Sequence, residues 1–92
     1  MAYRLVPTAQ FEKDLKRIGP SNARLVVGWI ARNLEGCEDP KARGQQLRYD
    51  LKQYWRYRIG DMRLLVDIQE DSFVLVLVTV GHRSTIYRDQ KR

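Results

Sequence analysis

The sequence is poor in the residues that bind metals and form covalent cross-links. It has one cysteine, Cys37, and one histidine, His82, among 92 residues. A single cysteine excludes an intramolecular disulfide, and one residue of each type cannot supply the repeated ligands of a zinc finger. The chain also lacks a GxGxxG sequence and a P-loop, the glycine-rich motifs that hold nucleotide phosphates. No cofactor and no metal site is therefore expected.

Long hydrophobic runs are absent as well. The longest, from Phe73 to Val80, is far too short to cross a bilayer and is typical of a buried strand. No signal-like apolar run follows Met1, so a reducing cytoplasm is the expected location.

Acidic residues are outnumbered by basic ones. The chain has 17 lysines and arginines against 11 acidic residues, which gives a formal net charge of +6. This excess favours a polyanion or an acidic protein as the partner. Hydrophobic residues make up 43% of the chain, enough for one modest core, so residues 1–92 are expected to form a single domain.

Hydrophobic periodicity predicts a strand, two helices and then three strands. The first strand is expected over 2–6, and Thr8 is placed to cap the first helix. The buried helical faces are formed by Phe11, Leu15 and Ile18 in the first helix and by Ala23, Val26, Val27, Ile30 and Leu34 in the second. A loop is expected over 37–46, followed by strands over 54–59, 62–68 and 73–80. This order predicts a small α+β domain, a mostly antiparallel sheet with helices packed on one face.

The stretch YWRYRIGDMR, from Tyr54 to Arg63, concentrates three arginines in one predicted hairpin. Gly60-Asp61 has the form of a type II′ turn, so Ile59 pairs with Met62 and Arg58 lies opposite Arg63. Because strand residues alternate between faces, the aromatic and aliphatic residues of both strands point to the core and the arginines point away from it. Like charges opposed across a sheet cost roughly 0.2–1 kcal/mol.

Two interpretations of this arginine face are open. The first is a bound polyanion, because arginine forks suit phosphates and the interleaved tyrosines can stack on unpaired bases. These tyrosines are Tyr49, Tyr54, Tyr57 and Tyr87. The second is a solvated face with salt bridges to Asp50, Asp61 or Asp67. The excess of basic over acidic residues between positions 41 and 63 favours the polyanion.

A second motif, VGHRSTIY, runs from Val80 to Tyr87 directly after the last predicted strand. Functional side chains are often presented where strands end. His82 can serve as a general acid or base near neutral pH, or it is an ordinary surface histidine beside a turn glycine, Gly81.

Together, the segments 55–64 and 80–87 and the order of elements resemble the RelE branch of the RelE/ParE toxin superfamily, from bacterial and archaeal toxin–antitoxin modules. The resemblance covers nearly the whole chain. It implies a small basic endoribonuclease that cuts mRNA, usually in the ribosomal A site, without a metal. In that reaction the ribose 2′-OH attacks the adjacent phosphate and leaves a 2′,3′-cyclic phosphate and a 5′-OH.

The resemblance implies site residues at Arg56, Arg58, Arg63, Arg83 and Tyr87 and a further basic residue at Arg48, while the chemistry and charge of the side chains add His82, Lys52, Tyr54 and Arg88. The catalytic set is Arg56, Arg58, Arg63, His82, Arg83 and Tyr87, and the RNA-binding set is Arg48, Lys52, Tyr54 and Arg88. Arg56 and Arg63 are expected to stabilise transition-state charge, and Arg83 to stabilise or protonate the leaving 5′ oxygen. Tyr87 is expected to stack on a base or to orient the 2′-OH.

One position departs from the family pattern. Where the best-known member has a lysine taken as the general base, this chain has Arg58, which stays protonated and is a poor base. Arg58 is therefore expected to stabilise charge, and His82 is the substitute base if Gly81 lets it turn onto the sheet. Tyr87 and hydroxide from solvent are the other choices.

Two other functions compete with cleavage by the ribosome-dependent route. One is inhibition of DNA gyrase through protein contacts, as in the ParE branch, and the other is a degenerate domain that binds RNA or ribosomes without turnover. The expected partners are mRNA with the 30S A site and a cognate antitoxin. An acidic helix of the antitoxin could cover the basic face, displace a C-terminal element, or dock in the apolar groove between the first helix and the sheet.

Overall fold

The computed structural model describes residues 2–83, which form two helices and one five-stranded sheet. The strands are β1 (Arg4–Pro7), β2 (Gln45–Gln46), β3 (Tyr54–Ile59), β4 (Met62–Gln69) and β5 (Val74–His82). The helices are α1 (Ala9–Arg17) and α2 (Pro20–Asn33), and two single 3₁₀ turns cover Pro40–Arg43 and Tyr49–Leu51. The predicted α+β class and order of elements are confirmed, with β2 as an additional strand.

The sheet has the strand order β1-β5-β4-β3-β2. Its neighbours are antiparallel except β1 and β5, which run parallel and pair Arg4 with Val74 through Pro7 with Leu77. Antiparallel neighbours need only short turns, whereas the parallel pair needs a long crossover. That crossover carries both helices, so they cover one face of the sheet and leave the other, which we call the open face, without a helix among residues 2–83.

The predicted start of α1 is confirmed in detail. The Thr8 hydroxyl oxygen accepts a hydrogen bond from the backbone N–H of Phe11 at 3.1 Å, as expected of an N-cap residue. The same hydroxyl lies 2.8 Å from the carbonyl oxygen of Leu77, to which it donates. Thr8 thus begins the helix and also fastens it to β5.

The core lies between the helices and the covered face of the sheet. Phe11, Val26, Ile30 and Leu34 of the helical segments pack against a set of buried strand residues. That set is Tyr57, Ile59, Met62, Leu64, Val66, Ile68, Leu75, Leu77 and Val80. The predicted alternation of β3 and β4 is therefore confirmed, since all of their predicted core residues are buried or, like Trp55, packed against the core.

Several details differ from the predictions, and one of them is the first strand, which was expected over 2–6 and spans Arg4–Pro7. Val27 was predicted to face the core but is 50% exposed, because the buried stripe of α2 follows Val26 and Ile30. The predicted loop over 37–46 contains β2 and a 3₁₀ turn. The last strand starts at Val74, after Phe73, whose φ of 54° does not fit a strand, and it continues to His82.

Candidate nucleic-acid interface

The arginines of the β3–β4 hairpin lie together on the open face of the sheet. The strand register places Arg58 directly opposite Arg63 and Ile59 opposite Met62, as the sequence predicts. Gly60, with a φ of 59°, occupies the turn position that favours glycine. Since Tyr57 and Ile59 are buried in the core, Arg56 and Arg58 must point to the opposite, open side.

Arg58 and Arg63 differ sharply in exposure. Arg58 is exposed, whereas Arg63 is only 4% exposed. The Nη1 of Arg63 donates hydrogen bonds to the backbone carbonyls of Gly60 at 2.9 Å and Met62 at 2.8 Å. The turn carbonyls thus offset part of the repulsion between the two arginines, and they hold the Arg63 guanidinium in a fixed position next to Arg58.

The end of β5 places Arg83 next to the β3–β4 turn and His82 on the covered side of the sheet. Arg63 pairs with Gly81 and Met62 pairs with His82, so His82 belongs to the covered side of the sheet by strand alternation, although it is exposed. The backbone N–H of Arg83 donates to the Asp61 carbonyl at 3.1 Å, directly after the end of β5, so the Arg83 backbone lies beside the β3–β4 turn. The expected turn of His82 onto the arginine face is therefore not found.

The other predicted site residues divide into three groups. Arg56 lies opposite Gln45 of β2, and its Nη2 donates to Gln45 Oε1 at 2.9 Å. Arg48 and Lys52 are exposed in the β2–β3 loop, and Tyr54 is half-buried on the open face opposite Asp67. Tyr87 and Arg88 lie outside the described residues.

A pocket of about 350 Å³ opens between β2, β3 and the loop that joins them. Arg48, Tyr49, Leu51 and Arg56 are among its lining residues, so it is continuous with the arginine face. Tyr49 is 83% exposed and has a φ of 62°. We refer to this site as the basic pocket.

A second pocket, of about 580 Å³, lies at the β4–β5 turn and is lined by Asp67, Glu70 and Asp71, among others. We refer to it as the acidic pocket.

Nearby, the Lys41 ammonium forms an ion pair with Glu70 and lies 5.7 Å from the centre of the Trp55 ring. Glu70 raises the pKa of Lys41 through a hydrogen bond with its side chain. The charge of Lys41 is therefore balanced by Glu70.

Gly44 and Tyr57 together position β2, which carries Gln45. The Tyr57 ring is fully buried, and its hydroxyl donates to the Pro40 carbonyl. Burial raises the pKa of Tyr57 well above its ordinary value, so this hydroxyl stays protonated and keeps its hydrogen bond. The ring lies so close to Gly44 that a Cβ there would come within 2.7 Å of it.

The sequence analysis missed Asp14, a fully buried carboxylate in α1. It accepts hydrogen bonds from the Gln10 amide at 2.9 Å, from the Val80 backbone N–H at 3.2 Å, and from the side chains of Arg17 and Thr79. The sequence signal was available: Asp14 lies three residues after Phe11 and four before Ile18, on the predicted buried stripe. An acidic residue on an apolar stripe indicates a satisfied buried carboxylate.

Metal-binding clusters and membrane-spanning helices are both absent from residues 2–83. These residues contain no group of three or more histidine, cysteine or acidic side chains arranged to hold a metal ion. Nor does that part of the chain contain a helix long and apolar enough to cross a membrane.

Comparison with known proteins agrees with this architecture. Residues 5–87 match a family described as the ParE toxin of the type II toxin–antitoxin system parDE. Toxin RelG of Mycobacterium tuberculosis is 31% identical over 88 residues, which cover 96% of this chain and 99% of that protein. The chain therefore belongs to the toxins of type II toxin–antitoxin systems. Within that class it is a RelE-like member of the RelE/ParE superfamily.

Solved structures show the same fold. The crystal structure of the RelBE2 toxin–antitoxin complex from Mycobacterium tuberculosis contains a chain with a TM-score of 0.80 and 27% identity, over 91% of this chain and 94% of that one. A mutant of the Escherichia coli toxin RelE in the free state has a TM-score of 0.71 and 20% identity, over 96% and 93% of the two chains. The predicted family and fold are thus confirmed.

Proposed function

We propose that this protein is an endoribonuclease that cleaves mRNA, in the ribosomal A site, without a metal ion. The observation that carries the proposal is the arginine face: Arg56, Arg58 and Arg63 lie on the open side of the sheet, and Arg83 follows the adjacent strand end. A reaction that builds negative charge on a phosphate gains most from positive groups that are already in place.

The proposed reaction uses the RNA as its own nucleophile. The ribose 2′ oxygen loses its proton and forms a bond to the adjacent phosphorus, while the bond from phosphorus to the 5′ oxygen breaks and that oxygen takes up a proton. The products are a 2′,3′-cyclic phosphate and a 5′-OH. Arg56, Arg58 and Arg63 stabilise the charge on the phosphoryl oxygens, and Arg83 stabilises or protonates the leaving oxygen.

The proton acceptor is the open part of this mechanism. A guanidinium group is a very weak base, so Arg58 is not suited to take the 2′-OH proton. His82 pairs with Met62 on the other side of the sheet. We therefore assign the proton transfer to Tyr87 or to hydroxide, and expect His82→Ala to retain cleavage with no inflection of the rate in the range where histidines titrate.

The location and the partners that we propose follow from the proposed substrate and from similarity to a known complex. A substrate of mRNA on the ribosome places the protein in the cytoplasm. The RelBE2 structure is a toxin–antitoxin complex, and by similarity we propose that this chain is held by a cognate antitoxin. The basic excess of the chain suits an antitoxin segment rich in acidic residues.

The decisive experiment maps cleavage sites by primer extension, using EDTA-treated protein on a message with paused ribosomes and on the same RNA free in solution. We expect cuts in the ribosome arm, with 5′-OH ends. Arg83→Ala should lower the cleavage rate about 100-fold or more, as when a preorganised charge-stabilising donor is lost. Arg24→Ala, which removes an exposed arginine of α2, is the matched control and should cleave normally.

A second function has one observation in its favour, because the matching family is described by the name ParE. No cuts in either arm would contradict the nuclease proposal. Inhibition of DNA supercoiling by gyrase would then identify a ParE-like inhibitor, and binding to ribosomes without either activity would identify a degenerate RNA-binding domain.

A further inference from the structure

The basic pocket contains a tyrosine in a conformation that its own fold does not explain. Tyr49 has a φ of 62°, in the left-handed region that bulky residues rarely adopt. Its side chain is 83% exposed and contacts no other ring among residues 2–83. Burial of the ring therefore does little to offset the backbone strain.

The loop holds its shape through other groups. The backbone N–H of Leu47 donates to the Tyr54 carbonyl at 3.0 Å, and that of Leu51 donates to the Arg48 carbonyl at 3.2 Å. The Gln46 amide donates to the Lys52 carbonyl at 2.8 Å. None of these hydrogen bonds uses the Tyr49 side chain, and glycine would adopt the same backbone more readily. Strain of this kind is concentrated at binding sites.

The surroundings of the ring indicate the chemistry of the ligand. Arg48 and Arg56 line the same pocket, and guanidinium groups bind phosphate oxygens in pairs. An exposed tyrosine presents a flat face on which a nucleobase can stack. The pocket volume of about 350 Å³ is at the small end for ligand sites and suits a single base.

We infer that Tyr49 and the basic pocket bind one unpaired base of the RNA, while Arg48 and Arg56 contact the phosphates beside it. The inference rests on the proposed function and deepens it, because Arg56 belongs both to this pocket and to the arginine face. The base would be held next to the phosphate that is cut, so the pocket would contribute to the choice of cleavage site.

The test measures binding without cleavage. Fluorescence anisotropy is recorded with a labelled hexamer of 2′-O-methyladenosine, which lacks the attacking hydroxyl, and with an abasic 2′-O-methyl hexamer of equal phosphate number. We expect Tyr49→Gly to weaken binding of the adenosine hexamer about 5- to 150-fold, the range for loss of one stacked base, and to leave abasic binding unchanged. Tyr49→Phe should bind both like the wild type.

The matched control is Phe73→Gly, which changes the second non-glycine residue with positive φ among residues 2–83, in the β4–β5 turn. It should bind both hexamers like the wild type. The thermal midpoint of Tyr49→Gly should equal or exceed that of the wild type, since the strain is relieved. A lower midpoint would assign the tyrosine to the fold and overturn the inference.

Other outcomes of the binding experiment would also overturn the inference. Unchanged adenosine binding by Tyr49→Gly, or an equal loss with both hexamers, would overturn base stacking. Failure of the wild-type protein to bind either hexamer would do the same. The proposed function is judged separately, by the cuts in the ribosome arm with wild-type protein, so a failure here does not imply a failure there.

Discussion

Two loops at the same end of the sheet each hold an aromatic residue with positive φ, and the two residues differ in their packing. The β2–β3 loop contains Tyr49 and the β4–β5 turn contains Phe73, the two non-glycine residues of the described chain with positive φ. Phe73 is 36% exposed, and its ring meets that of Tyr3 edge to face with centroids 5.4 Å apart. Its carbonyl also accepts a hydrogen bond from the Arg4 backbone N–H at 3.0 Å, next to the start of β1.

The comparison distinguishes backbone strain that is offset by contacts within the fold from backbone strain that would be offset by a bound ligand. At Phe73 the unfavourable backbone is offset by packing on Tyr3 and by attachment of the first strand. At Tyr49 no comparable ring contact is present in residues 2–83, and the charged residues that line its pocket, Arg48 and Arg56, are positive, whereas those of the acidic pocket are negative. An outlier in backbone geometry indicates function only after its packing has been examined.

The largest expected effect on stability comes from disturbing the close contact between Gly44 and Tyr57, which positions β2 beside the basic pocket. Gly44→Ala would place a Cβ within 2.7 Å of the buried Tyr57 ring, which its hydrogen bond to Pro40 keeps from moving aside. We expect a loss of about 1–3 kcal/mol in the free energy of unfolding, the usual cost of overpacking. Chemical denaturation followed by circular dichroism measures it.

Gly28→Ala is the control for that substitution. Its Cβ would meet only the flexible end of the Arg32 side chain, at 3.2 Å, and alanine favours the helix interior by about 1 kcal/mol over glycine. Stability should therefore stay the same or rise. Equal losses in the two variants would contradict the special role of the contact between Gly44 and Tyr57.

The second effect compares the two aromatic residues directly. Phe73→Ala should lower the free energy of unfolding by about 1–2 kcal/mol, because it removes the edge-to-face pair with Tyr3 and the covered part of a ring that is 36% exposed. Tyr49→Ala should stay within about 0.5 kcal/mol of the wild type, as for other exposed side chains. The same denaturation assay measures both, and a larger loss for Tyr49→Ala would reverse the comparison between the loops.

The smallest effect concerns charge. Arg48→Ala should reduce the slope of log K against log salt for single-stranded RNA by about 0.7, the value for one phosphate contact. Asp71→Ala, in the acidic pocket, should leave that slope unchanged. Anisotropy titrations of the 2′-O-methyladenosine hexamer at several KCl concentrations give the slopes. An unchanged slope in Arg48→Ala would place the RNA elsewhere on the surface.

The parts of the fold that depend on local pattern could be predicted from the sequence. Alternation on both sides of Gly60 gave the hairpin and the pairing of Arg58 with Arg63, and Thr8 gave the start of α1. Strand β2 could not be predicted, because two glutamines carry no hydrophobic pattern and their pairing depends on the contact between Gly44 and Tyr57.

The site was predictable in composition but not in orientation. The sequence indicates which face Arg58 and Arg63 share, but not that turn carbonyls bind one of them while the other stays exposed. The side of the sheet on which His82 lies could not be predicted for a related reason. Leu65 pairs with Thr79 and Val66 with Leu77, so the strand has a bulge at Val78, and such an irregularity changes which residues share a face without any signal in the sequence.

The buried carboxylate of Asp14 has a consequence for how copies of this chain coexist at high concentration. Strand β1 pairs with β5 only as far as Leu77, so the next residues of β5 would present unpaired backbone groups at an open edge. Asp14 binds the Val80 backbone N–H there, and α1 covers the edge. Such an edge is a template for strand addition and aggregation. By covering it, the helix prevents copies of this chain from pairing into extended sheets.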